Sequence, residues 1–381
     1  MLTVTGDSPE RGTPMSNIRT DFGRVTSRPV PFGTVPKCPN QLGYRMPAEW
    51  EPHESTWLAW PRNPETWSHL EEIESIYIEI ISILTRGEKV KILVNDSREE
   101  RQVFSKLSKN KIRTESVQFF QIKTHDAWIR DYGPNLIVKE ESGKKKLAVN
   151  RWIFNAWGSK YEEHLQDDVA SQQILDWLKL PIFETNFVLE GGSIDHNGKG
   201  VILTTEQCLL NPNRNPGYSK EKIETILKNY LCAKHIIWLG NGIEGDDTDG
   251  HVDDIARFVN SSTVLAAVES NPKDNNYKPL HNNLKRLQKS TNQNGKKLNV
   301  IELPMPGRID APFGRLPASY ANFYIGNSAV LIPIFDDPND KPALRIIESV
   351  FSGRHVIGIR SEALMEGLGG IHCLTHEQPA I

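Results

Sequence analysis

From about Met46 onward the chain repeats one pattern, a two-stranded hairpin followed by a helix and one further strand, at intervals of about 60 residues. The clearest copies lie in the second half. Phe187 to Ile194 and Gly200 to Thr205 read as strands joined by Asp195, His196, Asn197 and Gly198, with a helix from Ser219 to Leu231 and the strand HIIWL behind them. The next copy has strands at Asp254 to Val259 and Thr263 to Val268, a helix around Leu280 to Leu287, and the strand LNVIEL. A third has Ala321 to Ile325 and Ala329 to Ile334 around Gly326 and Asn327, then a helix through Ile347 and the strand HVIGI. An earlier copy spans Asn135 to Phe154, with a helix from Asp168 to Leu178. The first is less regular, but Ile73, Ile76, Ile80 and Leu84 recur at helical steps before the strand VKILV. One sheet of this kind cannot bury its apolar face alone. About five of them arranged as a ring of mixed α/β sheets would bury it and bring their hairpin ends to one axis. The alternative is an open doubly wound sheet.

Composition narrows the function classes. With 381 residues, 38% of them hydrophobic and 24% charged, the chain has the makeup of an ordinary globular protein. A formal net charge of −3 gives no electrostatic reason to expect nucleic acid or an anionic membrane as partner. Cys38, Cys208, Cys232 and Cys373 form no CxxC pair, which excludes a zinc ribbon or a thioredoxin-like motif and fits a reducing compartment. No segment has transmembrane length, and the first residues lack a signal-peptide apolar core, so a cytoplasmic location is expected. Residues 1–44, rich in Pro, Gly, Ser, Thr and Arg without helical or strand period, read as a flexible extension before a single catalytic domain over 45–381.

Two motifs suggest other chemistry and do not sustain it. Gly240, Gly242 and Gly245 form GxGxxG after a predicted strand, but Asp246, Asp247 and Asp249 follow where a dinucleotide pyrophosphate would need a positive helix end. Aligning Gly250 with the obligatory glycine of a calcium loop puts Gly245 where the first carboxylate belongs. His251 and Asp253, two apart in GHVDD, face one side of an extended segment and are metal-ligand types, yet no other segment supplies a zinc spacing.

Four segments concentrate polar residues and glycine beside predicted strands: DAWIRDYGPN, LEGGSIDHNGKG, DDTDGHVDD and GLGGIHCLT. Gly367, Gly369 and Gly370 would let the chain turn sharply and expose the thiol of Cys373. His251 could then act as acid and base, oriented by Glu190. Asp131 and Asp253 would remain as anionic acceptors suited to the planar fork of a guanidinium, with Trp128 lining the channel or packing beside it.

These strings, with MPAEWEPHESTWLAWP, FNAWG, TTEQCLLNPNRNP, LPASYANFYIGN, FDDPND and GIHCLTHEQPA in the same order, resemble the agmatine deiminases from about Met46 to the C-terminus. That family lies within the guanidine-modifying superfamily of arginine deiminases, peptidylarginine deiminases and amidinotransferases. The resemblance implies a pseudo-fivefold α/β propeller of pentein type, in agreement with the repeat. It implies Cys373 as nucleophile, His251 as acid and base, Glu190 as its partner, and Asp131 and Asp253 as guanidinium-binding carboxylates, with Trp128 in the pocket. The implied reaction is hydrolysis of agmatine to N-carbamoylputrescine and ammonia, a step toward putrescine and polyamines, through an amidino-cysteine intermediate and without cofactor or metal. The expected partner is a small cationic substrate, and a homo-oligomer is left open. Gly370 stands where an Asn is frequent, and His376 and Glu377 replace a glutamine-rich continuation. Deimination of free or peptidyl arginine, amidino transfer, and a catalytically silent guanidine-binding scaffold are the alternatives.

Overall fold

A computed structural model describes residues 37–381, and they build five mixed sheets that repeat one topology. In each, an outer strand pairs antiparallel with a central strand, which pairs parallel with a third. The sets are His376–Pro379, His53–Ala59 and Lys89–Val94, extended by Val117–Gln121; Asn135–Glu141, Lys144–Ile153 and Ile182–Val188; Ile194–His196, Val201–Thr205 and His235–Leu239. The remaining two are Ala256–Asn260, Thr263–Val268 and Asn299–Pro304, and Tyr324–Ile325, Ala329–Ile334 and His355–Arg360. A parallel pair needs a crossover, which the helices Leu70–Leu84, Leu165–Leu178, Lys220–Tyr230, Tyr277–Lys289 and Asp340–Val350 supply.

Local sequence explains why these elements form. In Leu70–Leu84 the buried Ile73, Ile76, Tyr77, Ile80 and Leu84 make one apolar face, while Glu71 and Glu72 meet the positive end of the helix dipole. Central strands such as Val201–Thr205 are buried along their whole length, as strands covered on both faces must be. The helix Ser97–Lys109, not anticipated from the repeat, is capped by Asp96, whose side chain accepts from the backbone N–H of Arg98 and Glu99; such a cap contributes about 1 kcal/mol.

Three expectations change. The first sheet's hairpin pairs the two ends of the domain, Trp57 opposite His376 and His53 opposite Pro379, a contact with no local signal. Phe187 to Ile194 is not one strand. Ile182–Val188 closes the second sheet, and the chain then turns through Gly191–Ser193 before the short strand Ile194–His196. Ala321 to Ile325 contributes only Tyr324–Ile325, because the preceding Asn322 is turned toward the cluster described below. Of the expected extension, residues 1–36 lie outside the described residues. Residues 37–44 belong to the compact unit that begins at Lys37. There Pro39–Leu42 form a 3₁₀ turn closed by Gly43 at φ 78°, and the Tyr44 ring meets Phe183 edge-on at 5.6 Å. After the strand His235–Leu239, the GxGxxG segment runs into turns rather than a helix. No helix among the described residues is long and apolar enough to cross a membrane.

Candidate active site

Each sheet contributes to the site from the same place, the turn just before its outer antiparallel strand. Trp128 and Asp131 flank and occupy the single helical turn Ile129–Tyr132 ahead of Asn135–Glu141. Glu190 precedes Gly191–Ser193, while His251 and Asp253 lie at Val252–Asp254. Asn322 precedes Tyr324–Ile325, and His372 and Cys373 precede His376–Pro379. Hydrogen bonds join these turns into one cluster. Gly192 N–H donates to Asp131 Oδ1 at 2.9 Å, Asn322 Nδ2 to Asp254 Oδ1 at 2.9 Å, and His372 N–H to Asn322 Oδ1 at 2.9 Å.

The Cys373 sulfur lies 3.2 Å from Asn322 Nδ2 and 3.9 Å from Asp253 Oδ2. Burial and the charges of Asp253, Asp254 and Asp131 push its thiol well above the usual range, with the Asn322 hydrogen bond opposing them. Asp131 Oδ2 accepts from Trp157 Nε1 at 2.8 Å, and its Oδ1 stands 3.8 Å from His251 Nδ1. Burial and neighbouring Asp253 raise the Asp131 carboxyl. Asp253 is held low despite its burial, because Oδ2 pairs with His372 Nδ1 at 2.7 Å. Its Oδ1 is buried without a hydrogen-bond partner, an acceptor left over. For His251, burial opposes the charged form, but Asp131 and the Cys208 thiol outweigh it and hold the imidazolium well above the usual range.

Glu190 and His251 come together differently from the expected pair. One acceptor of Glu190, one nitrogen of His251 and the Cys208 sulfur lie within 4.8 Å of one another, all buried. Meanwhile Arg214 Nε donates to Glu190 Oε1 at 2.5 Å, and both side chains are wholly buried. Arg214 also reaches Asp249 at 2.6 Å. The acidic run therefore serves the site's own framework: Asp246 Oδ2 accepts from His251 N–H at 2.9 Å and Asp249 neutralises Arg214.

Behind this layer lies an ionic network that the sequence reading did not single out. His372 Nε2 meets Glu49 Oε2 at 2.9 Å, Glu49 pairs with Arg257 at 2.8 Å, and Arg257 pairs with Asp195 at 2.9 Å. Despite its burial, Glu49 is kept ionised by Arg257 and His372. Such a network fixes the imidazole that in turn holds Asp253. His372 adjoins Cys373 and Glu49 lies within the string MPAEWEPHESTWLAWP, but nothing in the sequence links either to the other or to Arg257.

The glycines around Cys373 have a reason other than the expected sharp turn. The left-handed residue is Leu368, at φ 62°, whereas Gly367, Gly369 and Gly370 keep ordinary φ. A Cβ would come within 2.8 and 2.4 Å of the Trp128 ring at Gly367 and Gly369, and within 2.5 Å of Asn322 Oδ1 at Gly370. Gly192 is tighter still in its consequence, since a Cβ there would lie 2.6 Å from His251 Nδ1, 2.9 Å from Asp131 Oδ1 and 3.0 Å from Asp253 Oδ2. Trp128 packs on Trp67 at 5.2 Å and lines the cleft above these glycines.

That cleft, about 290 Å³, reaches down to Asp131 and Cys373 between Trp128, Trp157 and Tyr161. Glu65, Asp126, Glu163, Asp247 and Glu366 also face it, and no Lys or Arg is among the described residues that line it. A cleft of this size suits a small molecule, and its carboxylates suit a cation.

Known proteins share this frame. The agmatine deiminase of Pseudomonas aeruginosa strain LESB58 is 35% identical over 366 residues, covering 90% of this chain and 97% of its own length. Among solved structures, the agmatine deiminase of Enterococcus faecalis, described as catalysing its reaction, superposes with a TM-score of 0.82 at 31% identity, over 91% of this chain and 98% of its own. A substrate-bound cysteine-to-serine variant of the C. jejuni agmatine deiminase superposes at 0.78 with 33% identity, over 88% of this chain and 96% of its own. The family model of the Porphyromonas-type peptidyl-arginine deiminases matches residues 45–379. This chain therefore belongs to the Porphyromonas-type peptidyl-arginine deiminase family and is a homologue of the agmatine deiminases.

Proposed function

We propose that this protein is a hydrolase that converts agmatine and water to N-carbamoylputrescine and ammonia, with Cys373 as nucleophile. The observation that carries the choice of substrate is the charge of the cleft. Free arginine brings a carboxylate that needs a cation, and the lining offers carboxylates instead of Lys or Arg. Agmatine, a guanidinium joined to an ammonium, complements acidic groups at both ends, with Asp131 on the inner wall, Asp253 behind it beside the Cys373 sulfur, and Asp247 and Glu163 farther out. The substrate-bound cysteine-to-serine variant of the C. jejuni relative supports the same role for a cysteine here.

The reaction follows from the charges. Before substrate binds, the acidic neighbours keep the Cys373 thiol protonated and His251 cationic. A guanidinium held by Asp131 and the free oxygen of Asp253 offsets those negative charges, so the thiol loses its proton to solvent along the cleft. The thiolate attacks the guanidinium carbon and forms a carbon–sulfur bond. His251 gives its proton to one amino group, which leaves as ammonia, and an amidino-thioether remains on Cys373. Neutral His251 then takes a proton from water. The resulting hydroxide attacks the same carbon, the carbon–sulfur bond breaks, the hydroxyl proton of the adduct passes to the departing sulfur, and N-carbamoylputrescine leaves with the Cys373 thiol restored. Trp128 and Trp157 wall the flat cation, and Glu190, neutralised by Arg214, buttresses His251.

On this reading the five sheets close as a pseudo-fivefold propeller of pentein type, one catalytic domain with its site at the shared ends, acting in the cytoplasm. Ammonia release from agmatine, arginine and a peptide with internal arginine, with and without an amine acceptor, tests the assignment. Agmatine should be the preferred substrate, and Cys373→Ser should still bind it while turning over none. Preference for arginine, transfer to the amine, or normal turnover by the serine variant would overturn it.

A further inference from the structure

We propose that His125, Glu163 and His164, on the wall of the same cleft, form a binding site for a divalent transition metal of the zinc class. One ligand atom from each of the three lies within 4.8 Å of the others. Ligands around a tetrahedral zinc sit about 3.3 Å apart, given bonds of about 2.0 Å. The remaining closure falls to Glu163, an exposed side chain free to swing inward. Two imidazoles and one carboxylate are the donor set of an open site, whose remaining position is left to water.

A second observation points to a ligand. His164 is 8% exposed, and its Nδ1 is a buried polar atom without a hydrogen-bond partner. Its ring is fixed by edge contacts to Trp157 at 5.1 Å and to His125 at 4.5 Å. Two imidazoles this close repel once charged, whereas a shared metal ion takes both in the neutral form. Asp167 ties the segment carrying His125 to the helix behind it, its Oδ1 accepting from the backbone N–H of His125 at 2.6 Å. Glu65, Asp126 and Asp247 add negative potential from the same cleft.

The site lies apart from the Cys373 sulfur chemistry, and the consequence of its filling is steric and electrostatic. A dication on the cleft wall repels a cationic substrate on its way to Asp131. Metal binding itself can be read without activity. Tag-free protein titrated with Co²⁺ should show one site with visible d–d absorption of nitrogen and oxygen ligation, and no thiolate-to-cobalt charge-transfer band. Glu163→Gln and His125→Asn should each weaken Co²⁺ affinity at least about tenfold, the lower end of the cost of losing even an outer-sphere partner. Glu163 is exposed, so its variant keeps the fold and the result interpretable. Absence of a cobalt site, unchanged affinity in both variants, or a charge-transfer band assigning the metal to Cys373 or to the buried cluster of Cys208, His251 and Glu190 would each overturn the proposal.

Discussion

Asp253→Asn separates the two effects of the carboxylate beside Cys373. Asp253 Oδ2 lies 3.9 Å from the sulfur, and two unit charges about 4 Å apart at an effective dielectric near 20 interact by about 4 kcal/mol. At about 1.4 kcal/mol per factor of ten, removing that charge raises the thiolate population at fixed pH by up to about a thousandfold. His372, 2.7 Å from the same carboxylate, shares its field, so an increase of about ten- to a hundredfold is expected. The assay is iodoacetamide alkylation of substrate-free enzyme, with the peptide carrying Cys373 quantified by mass spectrometry. The Asn variant should alkylate faster at neutral pH by that factor, while agmatine deimination falls by about a hundredfold or more because the guanidinium loses a charged acceptor. Thiol reactivity equal to or below that of the parent would refute the claim that Asp253 suppresses the free thiolate. Deimination at the parental rate would refute its role toward substrate.

Gly192→Ala should cost about a hundredfold in kcat/KM for agmatine, since its Cβ would meet His251, Asp131 and Asp253 at 3.0 Å or less and an ångström of displacement has that effect; a variant with parental kinetics would contradict the packing. His376→Gln probes stability against pH. Burial lowers the His376 imidazole to about 4, so the folded state holds it neutral while the unfolded chain protonates near the ordinary histidine value. Its contribution is therefore present above that ordinary value and lost as pH falls toward about 4, by about 3–4 kcal/mol in all. Glutamine can still donate to the Pro134 carbonyl that Nε2 now meets at 2.8 Å, so urea unfolding should show a flatter acid limb in the variant. An unchanged limb would place the titration elsewhere.

How much the sequence reveals depends on whether a signal is local. Helix faces such as Ile73, Ile76, Ile80 and Leu84, and hairpins such as Ala256–Asn260 with Thr263–Val268, follow from period and turn residues. The pairing of His53–Ala59 with His376–Pro379 joins the two ends of the domain, and neither strand announces its partner. LEGGSI misled the reading for a different reason. Phe187 to Ile194 reads as one strand of a hairpin that turns at Asp195 to Gly198, but Gly191 and Gly192 turn the chain between two sheets, and Gly192 is glycine because three polar side chains crowd its Cα. Cys373, His251, Asp131 and Asp253 were singled out because their segments are dense in polar residues and glycine and resemble a family. Glu49 and Arg214 lie within matched strings and Arg257 does not, yet none shows its role, because a buried charged side chain is indistinguishable in sequence from a solvated one.

The buried charges suggest why the site is built from five separate turns rather than one. Asp131, Glu190, Asp253, Asp254 and Glu49 are all buried, and so dense an acidic group would be costly unless each member had its own partner. Four of the sheets send one or two of them each, and the same or a neighbouring sheet supplies a partner of the opposite charge or a hydrogen-bond donor. Glu190 has Arg214, Glu49 has Arg257, Asp253 has His372, and Asp131 has the Trp157 indole. Every carboxylate is thereby satisfied except for acceptors that face inward, among them Asp253 Oδ1. An arrangement that neutralises the framework and leaves acceptors unmet beside Cys373 is complementary to a cation that arrives later. On the proposed assignment the suppressed thiol belongs to the same design, because the acidic field that would favour a guanidinium also holds the Cys373 thiol protonated in its absence.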